Sequence, residues 1–208
     1  MSQNIAEDKA EGLLIVLSGP SGAGKGTVVK ELTKHEKYAL SISVTTRNPR
    51  KGEIHGREYF FISEKEYQDL EAQGELLEGA QYVNNCYGTP RQYVTQQIAQ
   101  GKTVILEIEA LGAFQVKEKF PEAVLIFIIP PTQAVLKARL VGRNTEDLAA
   151  IDKRMARAME ELDLACRYDY LVVNHTIPNA VADIDAIVVA ELLKTHRRSR
   201  TIDSYKNN

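Results

Sequence analysis

The chain has 208 residues, of which 44% are hydrophobic. This length suits one α/β core with insertions and is too short for two full-sized domains. The formal net charge of -2 excludes a general nucleic-acid-binding protein, because duplex binding needs many Lys and Arg contacts that release counterions. Cys86 and Cys166 lie far apart and in no zinc-ligand spacing, so we interpret them as free thiols in a reducing compartment.

The first apolar run, LLIVL at residues 13–17, begins too late and is too short for a signal peptide. No apolar stretch reaches the length that spans a membrane. We therefore expect a cytoplasmic protein that binds neither membranes nor nucleic acid.

The same run predicts a central strand covered on both faces, because it is wholly apolar. It is followed by a glycine-rich loop and then by Val28, Val29 and Leu32 at helical spacing. Further strand-like runs at 103–109, 123–129 and 170–174 alternate with helical stretches. This alternation predicts an α/β fold with a parallel sheet flanked by helices.

Local signals mark several helix ends. Ser63 and Glu66 form a capping box that predicts one helix start. Thr89, before Pro90, and Thr132 predict two further N-caps. Gly74 and Gly101 predict two helix ends.

Two segments interrupt the core pattern. Residues 41–88 carry β-like stretches around one helix and predict a small, mostly β acceptor-binding lobe. Residues 139–157 are rich in arginine and follow a core strand, where ligands of open α/β sheets bind, so we predict a lid there. We expect a single domain over 11–208, with its core formed by 11–40 and 89–208.

The glycine-rich loop matches the phosphate-binding pattern G-x-x-x-x-G-K, except that Gly26 stands where the strict pattern has Ser or Thr. Its place between a buried strand and a helix aims backbone N–H groups and a helix dipole at phosphate oxygens. Lys25 adds charge for the outer phosphates of ATP. Thr27 is the nearest hydroxyl for Mg²⁺, which we expect to be held mainly by nucleotide oxygens and water. The ATP-binding residues predicted here are Gly19, Pro20, Ser21, Gly22, Ala23, Gly24, Lys25, Gly26 and Thr27.

Several further motifs follow in a fixed order: T-T-R-x-P-R-x-G-E-x-x-G-x-x-Y-F-F within 45–61, Glu78, Y-G-T at 87–89 and L-E-I-E at 106–109. Together with the loop they resemble the guanylate kinases, in register from about 13 to 191. The resemblance implies Mg²⁺-dependent transfer of the γ-phosphoryl group of ATP to GMP, with these two nucleotides as small-molecule partners.

The resemblance also implies the acceptor site. Two arginines and two tyrosines would hold the phosphate of GMP, and guanidinium forks with phenol donors suit a dianion. Glu78 would read guanine, because one carboxylate can accept from both the ring N–H and the exocyclic amine, whereas adenine presents an acceptor there. The phosphate set is Arg47, Arg50, Tyr59 and Tyr87, and the guanine set is Ser43, Glu78, Thr89 and Glu109.

By the same resemblance, Asn174 lies near the adenine of ATP, and Arg139, Arg143 and Arg154 join Lys25 as catalytic cations. The chain departs from the family pattern in a few places. Glu109 and Leu111 stand where many members have Asp and Gln, Cys86 replaces a frequent tyrosine, and His175 replaces a frequent acidic residue.

Other functions stay open at this point. The chain could phosphorylate another nucleoside monophosphate, or it could be a non-catalytic guanylate-kinase-like binding module of the kind found in scaffold proteins. The intact phosphate loop favours an enzyme over such a module. A GTPase is disfavoured because the sequence contains no N-K-x-D motif. The sequence does not decide whether the chain forms a homo-oligomer.

Overall fold

The computed structural model describes residues 11–141 and 148–206. In these ranges the strands are β1 (Leu14–Ser18), β2 (Tyr38–Leu40), β3 (Val44–Thr45), β4 (Phe60–Phe61), β5 (Leu76–Tyr82), β6 (Asn85–Pro90), β7 (Thr103–Glu107), β8 (Val124–Ile129) and β9 (Tyr170–Val173). The α-helices are α1 (Lys25–Leu32), α2 (Glu64–Ala72), α3 (Arg91–Ala99), α4 (Ala110–Lys119), α5 (Gln133–Val141), α6 (Leu148–Asp163), α7 (Ile177–Leu192) and α8 (Ser199–Lys206).

The central sheet has the strand order β2-β7-β1-β8-β9, and every neighbouring pair is parallel. Strand β1 lies in the middle and is almost fully buried. Ile15 and Leu17 face the core shared with α1 and α7, whereas Leu14 and Val16 face the core shared with α3 and α4. The continuous apolar run therefore reflects burial on both faces, and the predicted parallel α/β fold is confirmed.

A second sheet, β4-β3-β6-β5, projects from the core. Strand β3 pairs in parallel with β4, and the other pairs are antiparallel. Strands β5 and β6 form a hairpin whose turn holds Val83 and Asn84 at positive φ (44° and 60°), as a tight two-residue hairpin turn requires. Val44, Tyr67 and Leu76 form a small core between this sheet and α2.

Most predicted helix ends are confirmed. The Ser63 side chain accepts from the Glu66 N–H (3.2 Å), and the Glu66 carboxylate accepts from the Ser63 N–H (2.7 Å). Thr132 accepts from the Val135 N–H at 3.2 Å before α5. Gly74 (φ 70°) and Gly101 (φ 83°) follow α2 and α3 in the left-handed conformation.

The predicted Thr89 cap is wrong. Pro90 occupies the N-cap position of α3, and that position makes no side-chain cap bond. The Thr89 hydroxyl is buried and donates instead to the Glu78 carboxylate at 2.7 Å. An N-cap side chain accepts from a helix N–H, and α3 begins one residue too late for Thr89 to stand at that position, so its hydroxyl donates to the carboxylate instead.

Helices α5 and α6 pack on each other through Leu136, Leu140 and Ala158. Residues 142–147, which include Arg143, lie outside the described residues. Within the described ranges, no helix is both long and apolar enough to cross a bilayer.

Removing the α2 cap should destabilise α2 and the second sheet on which it packs. We expect Ser63→Ala to lower the free energy of unfolding by about 1 kcal/mol, because the Glu66 N–H loses its acceptor. Chemical denaturation followed by circular dichroism measures the change. Gln68→Ala, at an exposed position of the same helix, serves as the control and should change stability by less than about 0.5 kcal/mol. Equal effects of the two substitutions would contradict the capping interpretation.

Candidate active site

The loop after β1 depends on glycines. Gly19, Gly22 and Gly24 all have positive φ (141°, 90° and 92°), a conformation that other residues adopt only with strain. A Cβ atom on Gly19 would lie 2.1 Å from the Ile128 carbonyl oxygen, so the loop can pack against β8 only without a side chain there. The Lys25 ammonium group donates to the carbonyls of Gly19 and Pro20. The loop thus curls around the lysine.

Three elements meet at the carbonyl of Ala23. Asn174, directly after β9, donates from its amide to this oxygen at 2.8 Å. Arg139 of α5 donates to the same oxygen at 3.3 Å and to the Asn174 carbonyl at 3.2 Å. Asn174 is fully buried, and its side-chain oxygen has no hydrogen-bond partner among the described residues. An acceptor group is therefore available beside the loop.

Helix α6 reaches both sides of the site. Arg154 donates to the Ser21 hydroxyl of the loop at 2.6 Å. One turn later, Arg157 donates to both carboxylate oxygens of Glu109 at 3.1 Å. The structure therefore brings Arg139 and Arg154 to the loop that carries Lys25. Arg143 lies outside the described residues.

A cavity of ≈ 480 Å³ opens between the loop and α6. Its lining mixes cations and carboxylates: Lys25, Arg154 and Arg157 with Glu107, Glu109 and Glu161. Sequence reasoning assigned no role to Glu107, which ends β7, the strand beside β1. The signal that could have identified Glu107 was a carboxylate at the end of a predicted strand, at the edge of the sheet where the glycine loop begins.

Gly26, at the start of α1, lies beside Glu107. A Cβ atom on Gly26 would lie 3.7 Å from each carboxylate oxygen of Glu107, which is an ordinary van der Waals contact. Shielding of this carboxylate from bulk water raises its pKa, and the charge of Lys25 lowers it in part. The carboxylate is thus placed where an additional cation would be favourable.

In the lobe, the structure assembles three of the four predicted phosphate-binding side chains. The Arg47 guanidinium lies over the Tyr59 ring, 5.6 Å from its centroid, and the Tyr59 and Tyr87 rings meet edge to face at 5.9 Å. Arg50 is exposed on the adjoining loop. Arg47 also forms a two-point ion pair with Glu53, with both distances 3.0 Å. The hydrogen bonds that Arg47 donates to Glu53, and then its bond with Tyr87, raise the pKa of Arg47.

Glu78 is the most buried of the predicted guanine-binding residues that carry a charge, with 6% of its surface exposed. Burial raises the pKa of Glu78, and the bond from Thr89 and the charge of Lys119 oppose that rise. Gly112, near the start of α4, leaves room for the carboxylate, because a Cβ atom there would lie 3.3 Å from one of its oxygens. Ser43 is half-buried just before β3.

Glu109 occupies the N-cap position of α4 without capping it through its side chain. Its side chain is 82% exposed and pairs with Arg157, a residue that sequence reasoning did not single out. Its role in reading guanine therefore stays a prediction. Thr27 lies exposed in the first turn of α1, and its role toward Mg²⁺ likewise stays a prediction.

Comparisons with known proteins show the family to which the chain belongs. The profile of the guanylate kinase family matches residues 11–191. The guanylate kinase of Halalkalibacterium halodurans is 51% identical over 199 residues, covering 95% of this chain and 96% of that protein. The guanylate kinase of Bacillus subtilis is 50% identical over 200 residues, covering 95% and 97%. The crystal structure of guanylate kinase from Anaplasma phagocytophilum is 34% identical with a TM-score of 0.69 and covers 90% of each chain. The chain belongs to the guanylate kinase family.

Proposed function

We propose that this chain transfers the γ-phosphoryl group of ATP to GMP, with ATP on the loop at 19–27 and GMP held by the lobe. Family membership supports the reaction. One observation supports the assignment of residues: the cavity beside Lys25 is bounded by the glycine loop and by α6, whose Arg154 contacts the loop. Lys25, Arg154 and Arg157 therefore line the place where the two substrates would meet, together with three carboxylates.

The donor site would use mainly the backbone. The N–H groups of the loop and of the first turn of α1 can bind phosphate oxygens, and the helix dipole adds to their field. Lys25 supplies a charge for the outer phosphates. The buried side-chain oxygen of Asn174 fits the exocyclic amine of adenine, because a buried acceptor without a partner is costly until a donor reaches it.

The acceptor would need no general base. The second pKa of a phosphate monoester is about 6, so the nucleophile is already ionised near neutral pH. Arg47, Arg50, Tyr59 and Tyr87 would instead fix that dianion in one orientation. Glu78, supported by Thr89, would accept two hydrogen bonds from guanine, and we assign Ser43 and Glu109 to the guanine as the family resemblance implies.

The catalytic problem is electrostatic, because one anion must approach another and the charge of a loose transition state must be neutralised. We assign this task to Lys25, Arg139, Arg143 and Arg154. Arg139 is tethered to the loop through Ala23 and Asn174, and Arg154 through Ser21. Such tethers hold the guanidinium groups close to where the transferring phosphoryl group would lie.

The residues present fit Mg²⁺. Glu107 is a shielded carboxylate beside the loop, and Mg²⁺ commonly binds one or two carboxylates, nucleotide phosphates and water. Glu107 would hold the ion, with Thr27 as the nearest hydroxyl of α1. When bound, the ion would supply positive charge that offsets the negative charge of the nucleotide phosphates.

Two other functions can be distinguished from the phosphorylation of GMP. A kinase for another nucleoside monophosphate would require a different base-reading group, whereas buried Glu78 suits the paired donors of guanine. A binding module without catalysis would not require an intact loop with Lys25 inside it. We expect the enzyme to act in the cytoplasm on small molecules, and a homo-oligomer stays open.

An acceptor panel tests the reaction directly. ADP release should be measured with GMP, AMP, CMP and UMP, each with ATP and Mg²⁺. We expect GMP to be phosphorylated far faster than the others, and Lys25→Ala to lower the rate by at least about 100-fold, because a charge on the outer phosphates is lost. A higher rate with another acceptor would contradict the proposed substrate, and no ADP release with any acceptor would favour the binding module.

The preference for guanine should depend on the charge of Glu78. We expect Glu78→Gln to reduce the ratio of kcat/KM for GMP over AMP by about 100-fold, because the amide turns a donor toward the donors of guanine. Unchanged selectivity in a variant that melts at the temperature of the parent would contradict the assignment.

The ionised carboxylate of Glu78 should also make KM for GMP depend on pH. Since burial raises the pKa of Glu78, lowering the pH toward that pKa converts it to the neutral acid. KM for GMP should therefore rise more steeply in the parent than in Glu78→Gln as the pH falls below neutrality, because protonation of the GMP phosphate affects both proteins alike. An identical pH profile of KM in parent and variant would contradict the role of the ionised carboxylate.

The Mg²⁺ requirement should depend on Glu107. We expect Glu107→Gln to raise the Mg²⁺ concentration for half-maximal activity by about tenfold, because a charged ligand is replaced by a neutral one. Glu161→Gln changes a carboxylate on α6 that lines the same cavity and should leave the half-saturating concentration unchanged. Equal shifts in the two variants would contradict a specific role for Glu107.

A further inference from the structure

Glu53 connects the two arginines that would bind the acceptor phosphate. One of its carboxylate oxygens accepts from the Arg50 backbone N–H at 2.7 Å and from the Arg47 guanidinium at 3.0 Å. The other oxygen accepts from the second terminal nitrogen of Arg47 at 3.0 Å. A single side chain thus bonds to both residues, and no role has been assigned to it above.

These contacts are sheltered from water. The side chains of Arg47 and Glu53 are only 14% and 18% exposed, unlike the exposed ion pairs that contribute little to structure. The bonds from Arg47 and then from the Arg50 N–H lower the pKa of Glu53 below its ordinary value, which favours the ionised carboxylate. The pair is also bidentate, which fixes the plane of the guanidinium group.

Other groups complete the orientation of Arg47. The Asn48 carbonyl accepts at 2.7 Å from the terminal nitrogen of Arg47 that donates to the same Glu53 oxygen as the Arg50 N–H. The rings of Tyr59 and Phe61 lie beneath the guanidinium, with their centroids 5.6 and 5.8 Å from its central carbon. Glu53 therefore holds the edge formed by the two terminal nitrogens. The opposite edge, which carries the Nε–H, is not used by the Glu53 pair.

The charge of Glu53 also affects the two arginines. Two guanidinium groups that converge on one phosphate repel each other before the phosphate binds, and a carboxylate between them reduces this repulsion. A guanidinium group whose plane is fixed also loses less conformational entropy on binding. Both effects favour phosphate binding, whereas repulsion between the Glu53 carboxylate and the phosphate dianion opposes it.

We propose that Glu53 is a positioning residue of the acceptor site, which holds the Arg47 guanidinium to the Arg50 backbone so that both arginines face the phosphate of GMP. This rests on the proposed function, in which Arg47 and Arg50 bind that phosphate. The opposite role is that of an internal competitor: Glu53 would occupy Arg47 until phosphate displaces it. The two roles predict changes of opposite sign when the charge of Glu53 is removed.

The experiment compares GMP with guanosine, which has the same base and no phosphate. Dissociation constants for both should be measured by calorimetry for the parent, Glu53→Gln and Glu53→Asp. We expect Glu53→Gln to weaken GMP binding by about tenfold, as loss of hydrogen bonds to a charged group would, and to leave guanosine binding unchanged. Glu53→Asp keeps the charge and should fall between parent and Glu53→Gln. In steady state, KM for GMP should rise by a larger factor than kcat falls.

The chain contains a matched control in the same loop. Glu58 also binds an arginine side chain, Arg57 at 2.6 Å, and a backbone N–H, that of Ile54 at 2.7 Å. Arg57 is not assigned to the phosphate, so Glu58→Gln should leave the ratio of GMP to guanosine affinity unchanged. A general disturbance of the loop would instead alter this ratio in both variants and would overturn the proposal.

Arg47→Ala separates failure of this proposal from failure of the proposed function. If Arg47→Ala weakens GMP binding while Glu53→Gln does not, or while Glu53→Gln tightens it, the positioning role is wrong and the phosphate site stands. If Arg47→Ala leaves GMP affinity unchanged, the phosphate site itself is wrongly assigned and the positioning role falls with it.

Discussion

The repulsion between two phosphorylated anions is the constraint on which this structure depends. A γ-phosphate and an acceptor phosphate can approach only where positive charge and backbone N–H groups already converge. The parallel sheet provides such a place, because the carboxyl ends of β1, β7 and β9 meet at one edge. The glycine loop follows β1, Glu107 ends β7 and Asn174 follows β9.

Positions without a side chain make this convergence possible. Gly19 lets the loop pack on the backbone of β8, and Gly24 lets Asn174 approach, because a Cβ atom there would lie 2.5 Å from the amide nitrogen of Asn174. Gly26 differs from these two positions, because a Cβ atom there would lie 3.7 Å from the Glu107 carboxylate, at an ordinary contact distance.

Local features were predictable because their physics is local. The buried strand, the loop after it and the Ser63–Glu66 capping box each follow from residues a few positions apart. Contacts between distant segments were not predictable in this way. The Thr89 hydroxyl bonds to Glu78 rather than capping α3, and Arg157 pairs with Glu109 across 48 positions. Helical periodicity alone cannot show which arginine of α6 faces a carboxylate. The resemblance to a family supplied most site residues, but not Glu53, Glu107 or Arg157.

The central claim is that ATP binds to the backbone of the loop while GMP binds to the lobe. Amide chemical shifts of isotope-labelled protein, recorded with a non-hydrolysable ATP analogue and then with GMP, test it most directly. The account predicts that the analogue with Mg²⁺ shifts the amides of residues 19–27, and that GMP shifts those of residues 43–61 and 78–89. Loop amides that stay unchanged at saturating analogue would contradict it.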